Sequence, residues 1–264
     1  MLRFYVEVAR SSFRRLLIYR WANLAGMAAN VFFGIIFCYV YIALFRARPT
    51  AAGFDLRDTL RYVWLMQALT MVVLRFSWYD LMLTIRSGEV IADLAKPCDF
   101  TWYWFSREAG ASVYYLLYRC VPTYLAGMLL FGIGLPGEWR VLPAFALSLV
   151  FGTGLGIAFR FLYNVIAFWL LEARAVGGMA SVVALFFAGT YVPLPFLPGA
   201  MRTIALWSPF SGMLNVPTEI FMGKLSGADL LGALLLQAMW LVALTLLARA
   251  LTAAAARRVV VQGG

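Results

Sequence analysis

Apolar positions dominate this chain in long runs separated by short polar or proline-rich breaks. The runs cover about residues 21–45, 62–85, 109–135, 142–171, 175–191 and 230–250. Each is close to the ~20 residues that an α-helix needs to cross ~30 Å of hydrocarbon. The pattern predicts an all-α polytopic membrane protein with six transmembrane helices.

Ahead of the first run the period changes. Leu2, Tyr5, Val6, Ala9, Phe13, Leu16 and Leu17 recur at three- and four-residue steps, with Arg3, Arg10, Arg14, Arg15 and Arg20 among them. Residues 1–20 therefore read as an amphipathic helix lying in the interface, its arginines reaching anionic headgroups. A cleavable signal peptide fits badly, because the basic region is long and no small-x-small site closes a short apolar core.

Two irregular segments interrupt the apolar pattern. Residues 85–107, IRSGEVIADLAKPCDFTWYWFSR, form a charged, proline-containing loop that must emerge at a membrane face. Within it Val90, Ile91 and Leu94 share one face of a short helix and Glu89 and Asp93 another, a form suited to a groove on a partner protein. Residues 192–229 hold prolines at 193, 195, 198, 209 and 217 yet remain apolar. Short re-entrant helices in the outer leaflet explain this, because proline breaks a helix whose flanks still need cover. Phe196, Leu197, Ile204, Leu206, Trp207 and Phe210 are expected to be packed, and Pro217 to interrupt the helix.

Composition narrows the class. The chain is 64% hydrophobic and 13% charged, about half the charged share of an ordinary soluble domain, so residues 1–264 read as one membrane domain. Its net charge is +10, and all but two basic residues are arginine. With the N-terminus inside, the inner segments hold the leader arginines with Arg86, Lys96, Arg107, Arg174, Arg249, Arg257 and Arg258. They outnumber Arg46, Arg48, Arg57, Arg61, Arg140, Arg202 and Lys224 outside. Both termini and the 85–107 loop are thereby expected in the cytoplasm. Nucleic acid is not indicated, since no arginine cluster sits on a soluble module.

The chain has no histidine, which removes Ser-His and Cys-His catalysis and the usual zinc sites. Cys38, Cys98 and Cys120 are too scattered for a disulfide framework or a metal cluster. Gly223-Lys224 lacks the remaining elements of a P-loop. Gly152, Gly154 and Gly156 lie inside a run and read as a small-residue stripe for close helix packing, as do Ala22, Ala25, Gly26 and Ala29.

Charges within the runs are costly and therefore informative. Arg75 and Asp80 fall in the inner half of the second run and Arg160 at similar depth in the fourth. A buried pair between Asp80 and an arginine is expected, and a role in lining a pathway stays open. Arg119, three residues before Pro122, should face protein rather than lipid.

Two local signatures resemble those of ABC-2 type transporter permease subunits, the bacterial six-span exporter permeases. One is Arg86-Ser-Gly88-Glu89 continuing to Asp93-Leu94-Ala-Lys-Pro97-Cys-Asp99. The other is Tyr191-Val-Pro193-Leu-Pro195 with Pro198, then Trp207-Ser-Pro209-Phe210 and Pro217 before Gly223. The resemblance implies that Arg86, Gly88, Glu89, Asp93, Leu94, Pro97 and Asp99 engage a separate ATPase. It implies an outer gate at Pro193, Pro195, Pro198, Trp207, Pro209 and Phe210. It further implies no cofactor in this chain, with ATP and Mg held by two copies of an ATP-binding subunit. A second permease, a paralogue or another copy, would complete the pathway in a bacterial inner membrane. Substrates across that family range from lipids and polysaccharides to peptides and drugs, so the cargo is not fixed. A lipid-transferring membrane enzyme would need acids clustered at one membrane face, and here they are scattered. A stand-alone channel would need no coupling loop.

Overall fold

The computed structural model describes residues 1–47, 49–75, 78–170 and 173–257; Arg48, Leu171 and Arg258 lie outside them. Among the described residues the chain is helical, with no strand beyond one isolated bridge between Ala51 and Phe54. Helix α1 (Leu2–Leu17) leads directly into α2 (Arg20–Ala47). The first helix is amphipathic as expected, but its apolar residues divide between two surfaces. Ala9 and Phe13 turn toward a later helix, α6 (Phe100–Tyr115), while Leu2, Val6 and Leu17 stay exposed. A Cβ at Gly110 would collide with the Ala9 carbonyl, so this glycine is what lets α1 lie flat on α6.

The second apolar run is not one helix. α3 (Leu56–Val73) starts at Asp55, whose side chain accepts from the Asp58 N–H at 2.7 Å. It stops at Leu74, whose φ −120° and ψ 66° leave the helical region. α4 (Asp80–Ser87) resumes after the break and ends at Gly88, left-handed at φ 79°. α5 (Val90–Leu94) is a single turn and a half.

The third run begins earlier than its composition indicates. Asp99 accepts from the Trp102 N–H at 3.0 Å and caps α6, so residues 100–107 belong to a helix and not to the loop. α6 continues through a π turn, Leu116–Cys120, into α7 (Val121–Phe131). Pro122 supplies the reason: its ring crowds the preceding turn and it has no N–H, and the widened turn relieves both.

α8 (Val141–Val165) extends through a 3-10 turn to Phe168. α9 (Ala173–Phe187) has 15 residues and ends short of Tyr191, turning at Gly189 with φ 84°. The chain then forms a 3-10 turn (Leu194–Phe196), α10 (Gly199–Trp207), α11 (Pro209–Phe221) and α12 (Gly227–Ala256). By length and composition α2, α8 with its 3-10 extension, and α12 can each cross a bilayer, at 28, 28 and 30 residues.

Hydrocarbon gives apolar side chains little reason to leave lipid, so close approach and interhelical hydrogen bonds carry helix association. Around α8 both are present. A Cβ at Gly152 would stand 2.6 Å from the Met213 carbonyl of α11, and one at Gly156 would run into the Val73 carbonyl that ends α3. Gln237 of α12 donates to Gly212 O at 2.7 Å and Ser148 O at 3.1 Å, and accepts from the Ser148 hydroxyl at 3.0 Å. One buried amide thus joins α8, α11 and α12.

The proline-rich segment is broken into short helices, as expected. Pro198 precedes α10, Pro209 opens α11, and the chain turns at Ser208 between them. Pro217, however, lies inside α11 and does not interrupt it. α11 is buried from Ser211 to Thr218, and Phe210 packs between Phe159 and Phe187. Ile204 and Trp207, expected to be covered by the outer leaflet or a partner subunit, are 60% and 69% exposed on the chain itself, so α10 presents an apolar face outward.

Candidate functional site

Three groups of residues stand out, and the first is a buried charge network. Glu108, on α6, takes Arg75 at 2.6 Å and Arg160 at 3.3 Å. Arg160 and the acid are buried and Arg75 mostly so, and Arg160 also donates to the Val73 carbonyl left open where α3 stops. α8 carries the rest of the cradle around the break. The Asn164 amide donates to Trp78 O at 3.1 Å and its Oδ1 accepts from the Met82 N–H at 3.0 Å. Tyr163 adds a hydroxyl bond to Trp78 O, and Ser112 of α6 binds Val72 O at 2.9 Å. Non-helical backbone at membrane depth needs such partners, because lipid supplies none.

The expected Asp80–arginine pair forms, but part-exposed and with Arg15 and Arg107 rather than buried. Asp80 opens α4, where its charge suits a helix N-terminus, and lies part-exposed at 3.6 Å from Arg15 and 3.9 Å from Arg107. Glu108 is the acid that pairs with Arg75 and Arg160. Arg119 faces protein as expected, its guanidinium donating to Gly26 O at 2.7 Å and Asn30 Oδ1 at 3.0 Å. Gly26 leaves the room: a Cβ there would sit 2.5 Å from that guanidinium.

The second group is the short loop from Gly88 to Asp99, tighter than the 85–107 segment. Val90 is buried in a cluster with Leu81, Phe100, Trp104 and Phe161, and Leu94 packs against its edge. Ile91, expected on the same face, is exposed, as are Arg86, Glu89, Ala92 and Pro97. Asp93 is buried and receives the Lys96 ammonium at 2.6 Å; Lys96 also reaches the Tyr103 hydroxyl at 2.9 Å. Desolvation opposes the Lys96 charge, but these two partners prevail and hold its pKa above the usual lysine value. Asp99 caps α6, receives Arg249 of α12 at 3.3 Å, and its N–H donates to the Tyr5 hydroxyl of α1. Asp93 and Asp99 are therefore internal struts, and the outward surface is formed by Glu89, Ile91, Ala92 and Pro97. Burial pushes the Cys98 thiol up, so it is a poor nucleophile.

The third group is the outer segment. Pro193 is buried, Pro195 is part-buried and Pro198 exposed, while Trp207 and Phe210 point to opposite environments. Pro209 starts the helix that fills the space between α3, α8 and α12.

Residues 29–263 match the family model described as ABC-2 family transporter protein. The chain belongs to the ABC-2 transporter family. A search of curated proteins found no match. As an ABC-2 family member, the chain is a membrane component of an ABC transporter and not itself the catalytic part; the family associates in general with an ABC ATPase subunit. Within this ABC-2 protein, Glu108, Asn164 and Gln237 are the polar residues that sequence reasoning missed. Asn164 and Gln237 each lie alone in an apolar stretch, where a lone polar residue in hydrocarbon is itself a signal for a partner on another helix, whereas Glu108 stands beside Arg107 at the edge of a run.

Proposed function

We propose that this chain is the permease of an ATP-driven exporter in a bacterial inner membrane, coupled to its ATPase through the turn from Gly88 to Asp99. Its six spans are α2, α3 with α4, α6 with α7, α8, α9 and α12, both termini being cytoplasmic. Broken spans are tolerable because their irregular backbone is covered by protein. A second permease would complete the pathway, and two ATP-binding subunits would carry ATP and Mg.

One observation carries the coupling. α5 has an exposed face, Glu89, Ile91 and Ala92, while Val90 beside them is locked into the α4–α6–α8 cluster. A partner pressing on that outward face would move α4 and α5 as one body against α8. The break between α3 and α4 is where such a motion would be absorbed, with Arg160, Glu108 and Asn164 holding its two ends. Rigid elements joined by a break can shift between two packings. Arg15 of α1 and Arg249 of α12 connect the same region to the interfacial helix and the last span.

Replacing Glu89 and Ile91 together by arginine tests this. Both are exposed, so the permease should still fold and insert while losing its ATPase on co-purification. Retention of the ATPase together with undiminished transport would refute the docking assignment.

A further inference from the structure

Between α10, α11 and the first turns of α12 lies a cavity of about 570 Å³, within the size range of small-molecule sites. Leu206, Trp207, Val216 and Leu236 give it apolar walls. Five polar side chains line it, and besides Ser211, whose hydroxyl donates to backbone, they are Arg202, Asn215, Glu219 and Asp229. Among the described residues, Arg202, Glu219 and Asp229 form no close ion pair, although Arg202 and Lys224 attract the Glu219 carboxylate from a distance.

Asn215 is fully buried, and its Oδ1 accepts from the Tyr62 hydroxyl at 2.8 Å; its Nδ2 makes no close hydrogen bond among the described residues, the neighbouring Glu219 carboxylate being the one acceptor it interacts with. A buried donor left without a close acceptor is costly, roughly 1–3 kcal/mol. The cavity thus offers one cation and one spare amide donor for an anionic oxygen, two carboxylates for a cation, and an apolar wall beside them. A metal ion would leave Arg202 and the apolar wall unused, and a simple anion would compete with Glu219 for Arg202 and leave Asp229 unanswered.

We propose that this cavity binds the headgroup of an amine-bearing zwitterionic phospholipid of the ethanolamine class. Its phosphate lies toward Arg202 and the Asn215 amide, its ammonium toward Glu219 and Asp229, and its chains against Leu206, Leu236 and Trp207. A primary ammonium has three N–H donors for two carboxylates, whereas a choline headgroup has none and a phosphoglycerol headgroup carries no cation. The proposal rests on the reading that residues 192–229 lie at the outer leaflet, but contact with lipid is measurable without transport or ATPase coupling, so the two fail separately.

The full-length permease in phosphoglycerol nanodiscs, doped with a dibrominated phospholipid, provides the test. Trp207 fluorescence is taken as the difference between wild type and Trp207→Phe. Brominated ethanolamine lipid should quench it at a mole fraction at least threefold lower than brominated choline or phosphoglycerol lipid. Glu219→Gln with Asp229→Asn should erase that preference. Should the double variant fail to fold, Asp229→Asn alone, on an exposed helical turn, should still reduce it. Equal quenching by the three lipids, or a preference that survives in these variants, would overturn the proposal. Displacement by water-soluble phosphoethanolamine at the same concentrations would also overturn it, by assigning the site to a free headgroup.

Discussion

Glu108 shows how one side chain can organise a membrane protein's interior. It pairs with two arginines from different elements, and the three together leave one net positive charge in the interior. Removing the acid strands both arginines, whereas removing Arg75 leaves the balanced Arg160–Glu108 pair. Breaking a buried pair by deleting one partner costs about 3–5 kcal/mol. Glu108→Gln should therefore lower thermal stability in detergent by an amount of that order, and Arg75→Met by clearly less. Equal losses would contradict the network. The arginines were legible in the sequence because a charge in an apolar run demands explanation. Their partner was not, since Glu108 follows Arg107 at the edge of a run and reads as an interfacial residue. Asp80 drew the pairing instead because it shares a run with Arg75, and only the break between them separates the two.

Helices α3 and α4 carry the same lesson to the element scale. Residues 62–85 are predominantly apolar despite Arg75 and Asp80, and periodicity alone gives one span. The break comes from tertiary bonds: Arg160, Tyr163, Asn164 and Ser112 take the carbonyls that a continuous helix would have satisfied itself. The π turn between α6 and α7 is similarly local, and Pro122 marked the place without giving its form. Gly156 tests the packing at the break. Its missing Cβ faces the backbone of Val73, which cannot yield, while Gly154 faces only the flexible end of Leu241 at 2.9 Å. Gly156→Ala should cost about 1–3 kcal/mol, as overpacking does. Gly154→Ala should cost little, and thermal unfolding of the two variants side by side separates them. An indifferent Gly156→Ala would mean that α8 does not hold the break. The small-residue stripe itself was legible, because Gly152 and Gly156 fall one turn apart on an apolar helix.

At the scale of the whole molecule, family membership was the most legible property. Lipid as solvent forces long apolar helices, and the loop and proline-rich signatures sit between fixed members of that series. The number of crossing elements was less direct. Three helices qualify by length and composition alone, while the others are shortened, charged at one end or interrupted, and rely on neighbours to cover their irregular backbone. The proposed docking surface was half legible. Charge and proline pointed to residues 85–107, but which side faces outward depended on Val90 entering the α8 cluster and Asp93 closing on Lys96. The account's central claim is that the outward face of α5 touches the ATPase from the cytoplasm. A photo-crosslinking amino acid placed at Ile91 in intact cells measures this directly, with Gly199 in the outer segment as its counterpart. The account predicts an adduct with the ATPase from Ile91, strengthened or weakened by ATP, and none from Gly199. An adduct from Gly199, or none from Ile91 in a complex that still transports, would contradict it.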